Sequence, residues 1–243
     1  MENHGDSQIC DNAGAPYINS LANSGILFTN FHGVTHPSQP NYLALFSGST
    51  QGITNDKAIV DKFDAPNLYG KLRAIGKTCA WYSEDLPNTG SIIIHKDLYV
   101  RKHNPLSDFK IVPDSVNKMW SQFQLNNLEN LVFIVPNLDH DMHNGTVKQG
   151  DDWVKNNCEQ LADWCKNNNG LFIITFDEDE GTDGNGIPVI FYGQNISAKI
   201  IDTKYDHYNL TKTICELLGT PKNWTDSLRS RKTIKSIYTD QNF

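Results

Sequence analysis

Several polar residues of this 243-residue chain stand where an apolar run gives out: Glu2-Asn3, Ser38, Asn41, Asp139, His143, Asp177-Glu178 and His207. A hydroxyl set among carboxylates and imidazoles able to hold divalent cations is equipment for cutting phosphate esters. Ser38 is the nucleophile candidate. Pro37 and Pro40 restrict the chain around it, and it falls just before a helix whose backbone N–H groups can face an anion. It lacks the G-x-S-x-G elbow, so activation by a bound cation fits better than a Ser-His-Asp triad. The competing account is a helix-capping serine. Asn41, three residues on, has an amide that can reach a phosphoryl oxygen; a capping or turn amide is its competitor.

Asp139-His140-Asp141-Met142-His143 offers several ligand types in one short stretch. Asp139 and His143 are spaced so that a turn of helix puts both on one side, with a solvated loop as the rival. Asp177-Glu178-Asp179-Glu180 is a run of acids, which repel unless they fan into water or bind cations. Asp177 and then Glu178 are the expected ligands; Asp179 and Glu180 read as solvated. His207, between Tyr205 and Tyr208, is by itself more often structural than a ligand. His36 and His32 flank the serine and, with His140, are placed to bind phosphate or protonate a leaving group. Glu2 and Asn3, so near the terminus, read by themselves as a frayed end.

The elements that must position these groups alternate. Leu131–Val135 and Leu171–Phe176 are unbroken apolar runs that read as buried parallel strands, and Val189–Tyr192 and Thr78–Tyr82 read as further strands. Helical patterns cover Ala15–Ser24, Pro40–Phe46, Trp153–Cys165 and Asn209–Leu218. The fold class is therefore α/β, a mainly parallel central sheet with helices on both faces, and residues 1–243 read as one domain. Active sites of such sheets lie beyond the C-terminal strand ends, where Asp139 and Asp177 fall. Glu2-Asn3 would need a preceding strand, so the sheet is expected to lack its first strand or to be truncated there. The stretch 53–117 is mixed and polar and reads as a lid or substrate wall.

Composition narrows the partners. Formal charge is −7, and the densest basic cluster is Arg229, Arg231, Lys232 and Lys235, so no nucleic-acid partner is expected. No apolar stretch reaches the roughly 20 residues of a membrane span, so no integral membrane contact is expected. The five cysteines form no C-x-x-C pair and suit neither a zinc finger nor a dense disulfide scaffold. Reduced core thiols are the simplest reading, with one or two disulfides left open. No signal peptide follows Met1; secretion or a lysosomal or vacuolar location is expected only if the chain is an N-terminally truncated fragment. Oligomeric state is not indicated.

The segments E-N-H (2–4), A-P-Y-I-N-S-L-A-N-S-G-I-L-F-T-N-F (15–31) and T-H-P-S-Q-P-N-Y-L-A-L-F-S-G (35–48) form a recognisable series. P-N-L-D-H-D-M-H (136–143), F-D-E-D-E-G (176–181), G-N-G-I-P-V-I (184–190) and Y-D-H-Y-N-L (205–210) continue it. In this order the chain resembles the phosphoesterase family that groups acid phosphatases with phosphatidylcholine-type phospholipases C, within the alkaline phosphatase superfamily. The resemblance implies an alkaline-phosphatase-like fold and a metal-dependent phosphomonoester hydrolase acting on a small phosphate ester through a phosphoserine at Ser38. It implies one or two divalent metal ions, one position using Glu2 or Asn3 with Ser38, Asp177 and Glu178, the other Asp139, His143 and His207. Asn41 would contact the phosphoryl group. Glu178 stands where the superfamily commonly has a histidine, which argues against zinc. A phospholipase C or phosphodiesterase with the same centre and a non-catalytic metal-binding domain are the alternatives. A sulfatase-like site has no C-x-P-x-R or S-x-P-x-R to support it.

Overall fold

Apolar runs closed by glycine, proline and small polar residues set the element boundaries. The structure is a computed structural model that describes residues 1–182 and 184–237. Along the chain, α1 (Asp6–Ile9) and α2 (Pro16–Ser24) lead into β1 (Ile26–His32), α3 (Ser38–Ser47) and α4 (Leu68–Arg73). Next come β2 (Cys79–Ser83), β3 (His95–Lys96), β4 (Tyr99–Val100), β5 (Asn117–Met119) and β6 (Leu131–Val135). The remainder holds α5 (Val147–Asn167), β7 (Leu171–Thr175), β8 (Gly186–Gly193), β9 (Lys199–Ile201), β10 (Tyr205–Asp206), α6 (His207–Leu217) and α7 (Asp226–Ser230). The chain divides into two units, one of residues Met1–Gly33, Asp139–Asp206 and the segment from Ile234, the other of Val34–Leu138 and His207–Thr233.

The first unit is built on a five-stranded sheet of order β10-β1-β8-β7, with β9 also paired to β1. The sheet is mixed, which corrects the mainly parallel expectation: β8 runs antiparallel to both β1 and β7, while β9 and β10 run parallel to β1. An apolar run looks the same in either direction, so strand sense was not in the pattern. The central strand β1, whose F-T-N-F interrupts its apolar run, was not among the sequence-predicted strands. Amphipathic α5 buries Trp153, Val154, Cys158, Leu161, Ala162 and Cys165 on one face. It begins at Val147, earlier than Trp153, because Thr146 and Gln149 form a capping box. Asp151 of α5 in turn accepts the amides of Tyr17 (3.1 Å) and Ile18 (2.7 Å), capping α2 where Ala15 supplies no side-chain cap.

The second unit holds a parallel sheet of order β5-β2-β6, registered from Cys79 opposite Leu131 to Ser83 opposite Val135. Trp81 stacks on Phe133 at 4.4 Å, and Phe46 packs edge-on against Trp81, Phe109 and Phe133. Every residue of α3 is buried, as expected of a helix enclosed on all sides. Thr211 of α6 donates to the Leu45 carbonyl at 2.8 Å, tying the two helices. The stretch 53–117 supplies β2 and the buried Leu68, Leu72 and Phe109, so much of it is core and not a wall. All five cysteines are free thiols.

Candidate active site

The start of the chain is pinned, not frayed. In the first unit the Glu2 amide donates to the Asp141 carbonyl at 2.8 Å, and the Asp177 amide donates to the Met1 carbonyl at 3.2 Å. Asn3, in the left-handed region (φ 53°) that asparagine tolerates, turns its amide toward Asp177 Oδ1 at 3.4 Å. These bonds set Glu2 between the loop that carries Asp141 and the end of β7.

The result is a group of buried acids. Glu2 and Asp141 have no exposed surface, and Asp177 and Glu178 are buried beside them in the sequence-predicted place, at the C-terminal end of β7. Carboxylate oxygens of Glu2 and Asp141 lie within 4.8 Å of one another. Burial pushes the Asp177 carboxyl well above the usual range, and the charges of Glu2 and Glu178 push it the same way. A side-chain hydrogen bond between Asp177 and Glu2 adds to the rise, because two carboxyls share a hydrogen only while one of them is protonated. Sequestering this many carboxylates costs several kcal/mol per charge unless a cation or protons offset them. The donor set of oxygens fits a hard divalent cation.

Asp179 departs from the solvated expectation, whereas Glu180 meets it. Asp179 is buried, accepts the amides of Gly181 and Thr182 at 2.9 Å each and bonds the Thr182 hydroxyl. Glu180 is exposed, and its Oε2 accepts the Gly5 amide at 3.2 Å. Both therefore shape the loop that presents Asp177 and Glu178.

The helical turn expected to align Asp139 with His143 is absent. Residues 138–145 form turns and bends, with Met142 at φ 80°, and the chain doubles back so tightly that a Cβ on Gly145 would lie 2.0 Å from the Asp139 carbonyl oxygen. Asp139 and His143 are half-buried on this loop; the His143 amide donates to Asp141 Oδ1 at 2.8 Å. His140 stacks on Trp153 with ring centroids 6.2 Å apart. Both His32 ring nitrogens are engaged, with the Gly184 carbonyl and Asn30 Oδ1 at 2.7 Å each. Sequence reasoning passed over Asp141 for Asp139 because it assumed a helical period; the D-x-x-x-H spacing has no such meaning in a turn.

In the second unit Ser38 is the first residue of α3 and is 1% exposed. It is not a capping residue: Pro37 holds the cap position, after a cis His36–Pro37 bond, and offers no side-chain acceptor. The helix start gives fewer anion donors than expected, because Pro40 has no N–H and Asp56 Oδ1 already takes the Gln39 amide at 3.0 Å. Lys102 pairs with Asp56 at 2.8 Å. Asn41 is buried, its Oδ1 accepting the amides of Val34 (2.8 Å) and Thr35 (3.2 Å) and its Nδ2 donating to the carbonyls of Thr35 (2.7 Å) and Pro37 (3.3 Å). His36 is half-buried in the loop before Ser38. His207, 1% exposed, opens α6 directly after β10. His103 was missed by sequence reasoning: it is buried and stacks on Tyr42, one turn along α3 from Ser38, at 5.0 Å. Its only sequence signal was a histidine before Asn104-Pro105, which has no chemical meaning by itself.

Ser38 thus opens a buried helix in one unit, and Glu2, Asp141, Asp177 and Glu178 form a buried group of acids in the other. The sequence model of the Phosphoesterase family matches residues 8–221, and the chain belongs to that family. It is 39% identical over 225 residues to the phosphatidylinositol-3-phosphatase of Mycobacterium tuberculosis, covering 91% of this chain and 75% of that protein. An acid phosphatase of Aspergillus fumigatus is 32% identical over 242 residues, covering 83% of this chain; the chain spans 50% of that relative's length. Among solved structures, a Vibrio parahaemolyticus protein in the alkaline phosphatase superfamily superposes with a TM-score of 0.61 at 12% identity, over 90% of this chain and 65% of that one. The fold is thus α/β and alkaline-phosphatase-like, and family membership makes the chain an acid-phosphatase-like hydrolase. No helix of the described residues is long and apolar enough to cross a membrane.

Proposed function

We propose that residues 1–243 act as one domain, a metal-dependent phosphomonoesterase that works through a phosphoserine on Ser38. The observation that supports this most is the buried Asp177 carboxyl, crowded by Glu2 and Glu178, in a chain of the phosphoesterase family. Glu2, Asp177 and Glu178, with Asp141, are the residues that would hold the first cation; Asn3 and the Ser38 oxygen belong to the same proposed position. Asp139, His143 and His207 are proposed for a second. A bound divalent cation would supply Lewis-acid stabilisation of charge on the phosphoryl oxygens and favour ionisation of the serine.

Ser38 Oγ attacks phosphorus in line, the bond from phosphorus to the alcohol oxygen breaks, and His36 or His140 hands that oxygen a proton. Water then attacks the phosphoserine, releasing inorganic phosphate and restoring the hydroxyl. The name of the mycobacterial relative makes phosphatidylinositol 3-phosphate the first lipid monoester to try.

The test compares p-nitrophenyl phosphate with bis-p-nitrophenyl phosphate, before and after chelation. Monoester turnover that chelator removes, metal restores and Ser38→Ala abolishes is the expected result. Preference for the diester would make the chain a phosphodiesterase or phospholipase C. Tight metal uptake with no turnover of either ester would make it a non-catalytic metal-binding domain. Undiminished turnover by folded Ser38→Ala would remove the nucleophile.

A further inference from the structure

We infer that Asn41 is a positioning residue that fixes the loop ahead of Ser38 and makes no contact with the substrate phosphate; the inference rests on Ser38 being the nucleophile. An asparagine amide has two donor hydrogens and two acceptor lone pairs. All of these are committed here, the oxygen to the amides of Val34 and Thr35 and the nitrogen to the carbonyls of Thr35 and Pro37. No N–H is left to offer a phosphoryl oxygen.

The four bonds have one target. They close on the backbone of residues 34–37, the loop that runs into Ser38, and they approach it from inside α3 itself. The buried side chain thus ties the entry of the helix to its second turn, much as an Asx-type local bond ties a turn. Because α3 is buried throughout, its own position is set by the core. The amide passes that rigidity to the loop, and so to the direction in which the Ser38 oxygen emerges. A nucleophile displaced by about 1 Å loses on the order of 100-fold in rate, while ground-state affinity for the anion need not change.

The two roles separate in Asn41→Asp and Asn41→Ala, assayed for kcat on p-nitrophenyl phosphate and for Ki of inorganic phosphate as a competitive inhibitor. Asn41→Asp keeps the acceptor for Val34 and Thr35 but places a second oxygen against the Thr35 and Pro37 carbonyls. We expect kcat to fall about 10- to 100-fold in both variants while Ki for phosphate stays within about threefold of wild type. In a residue touching the phosphate dianion, the aspartate would instead raise Ki by about 10-fold or more, and that result would overturn the inference. So would an unchanged kcat in either variant. If Asn41→Ala does not fold, the near-isosteric aspartate decides the matter alone, its thermal melt certifying the fold. Ser38→Ala is run alongside: turnover in that variant, or none in wild type, brings down the phosphoserine reading and this inference with it. A dead Ser38→Ala beside fully active Asn41 variants brings down the inference only.

Discussion

Individual side chains carry opposing costs, and two of them set tests. Asp177 is held above the usual carboxylate range by burial, then by the negative charges of Glu2 and Glu178. A carboxyl whose folded pKa is raised stabilises the fold at low pH and loses that contribution as pH climbs through the folded value. Metal-free protein should therefore melt lower at pH 8 than at pH 5, and Asp177→Asn should raise the melting temperature in chelator at pH 8 while removing most of the stabilisation by added divalent ion. Scanning calorimetry with and without the ion reads both. Asp108 in the other unit behaves alike with the same leading cause and an opposing neighbour: burial raises it to about 7, and Arg101, 3.3 Å away, recovers only part of the cost. Its contribution is complete below about pH 4 and lost as pH rises through 7, so Asp108→Asn should spare roughly 2–4 kcal/mol of the stability wild type loses between pH 4 and 8, measured by urea unfolding. The types of these residues were legible in the sequence and their partners were not. Asp177 stood out because an apolar strand ends on it, whereas Asp141 differs from Asp139 only in the direction a turn gives its side chain.

At the scale of elements, caps and close approaches fix the loops that matter. Asp151 reaches from α5 to the amides of Tyr17 and Ile18, a cap from 133 residues away for Ile18. Asp151→Ala should cost about 1–3 kcal/mol, and Asp151→Asn less, in chemical denaturation. Gly145 lies against the Asp139 backbone, where a Cβ would meet the carbonyl oxygen at 2.0 Å. Gly145→Ala must open the 138–145 loop, so divalent-ion affinity measured by calorimetry should drop about tenfold or more while the helices remain, a loss of about 1.4 kcal/mol. Strands β6, β7 and β8 and helices α2, α5 and α6 were readable because burial imposes apolar runs or a helical period. Strand β1 was not, because Thr29-Asn30 interrupts it at the register shift between Phe28 and Phe31. Helix α3 starts at Ser38, ahead of the Pro40 start read from the sequence, because proline is tolerated in a first helical turn.

For the whole molecule, family membership and the α/β class were legible from the order of motifs alone, while the mixed sheet and the discontinuous units came only with coordinates. The thiols give a global test of the packing. Cys79, Cys158, Cys165 and Cys215 are buried and Cys10 is half-buried, with burial raising Cys10 and Cys165 to about 11 and the others to about 12. A thiol reagent at pH 8 should count at most one reactive group in native protein and five after denaturation, and reductant should leave the melting temperature unchanged. Finally, the polypeptide passes from one unit to the other after Gly33, Leu138, Asp206 and Thr233. Neither unit can be expressed by trimming the gene at a single point, and dissecting them would require circular permutation or co-expressed pieces. Three of those passages, at Gly33, Leu138 and Asp206, fall within a few residues of Ser38, Asp139 and His207, so an insertion or a fusion boundary placed there would strike the proposed chemistry and the chain's connectivity at once.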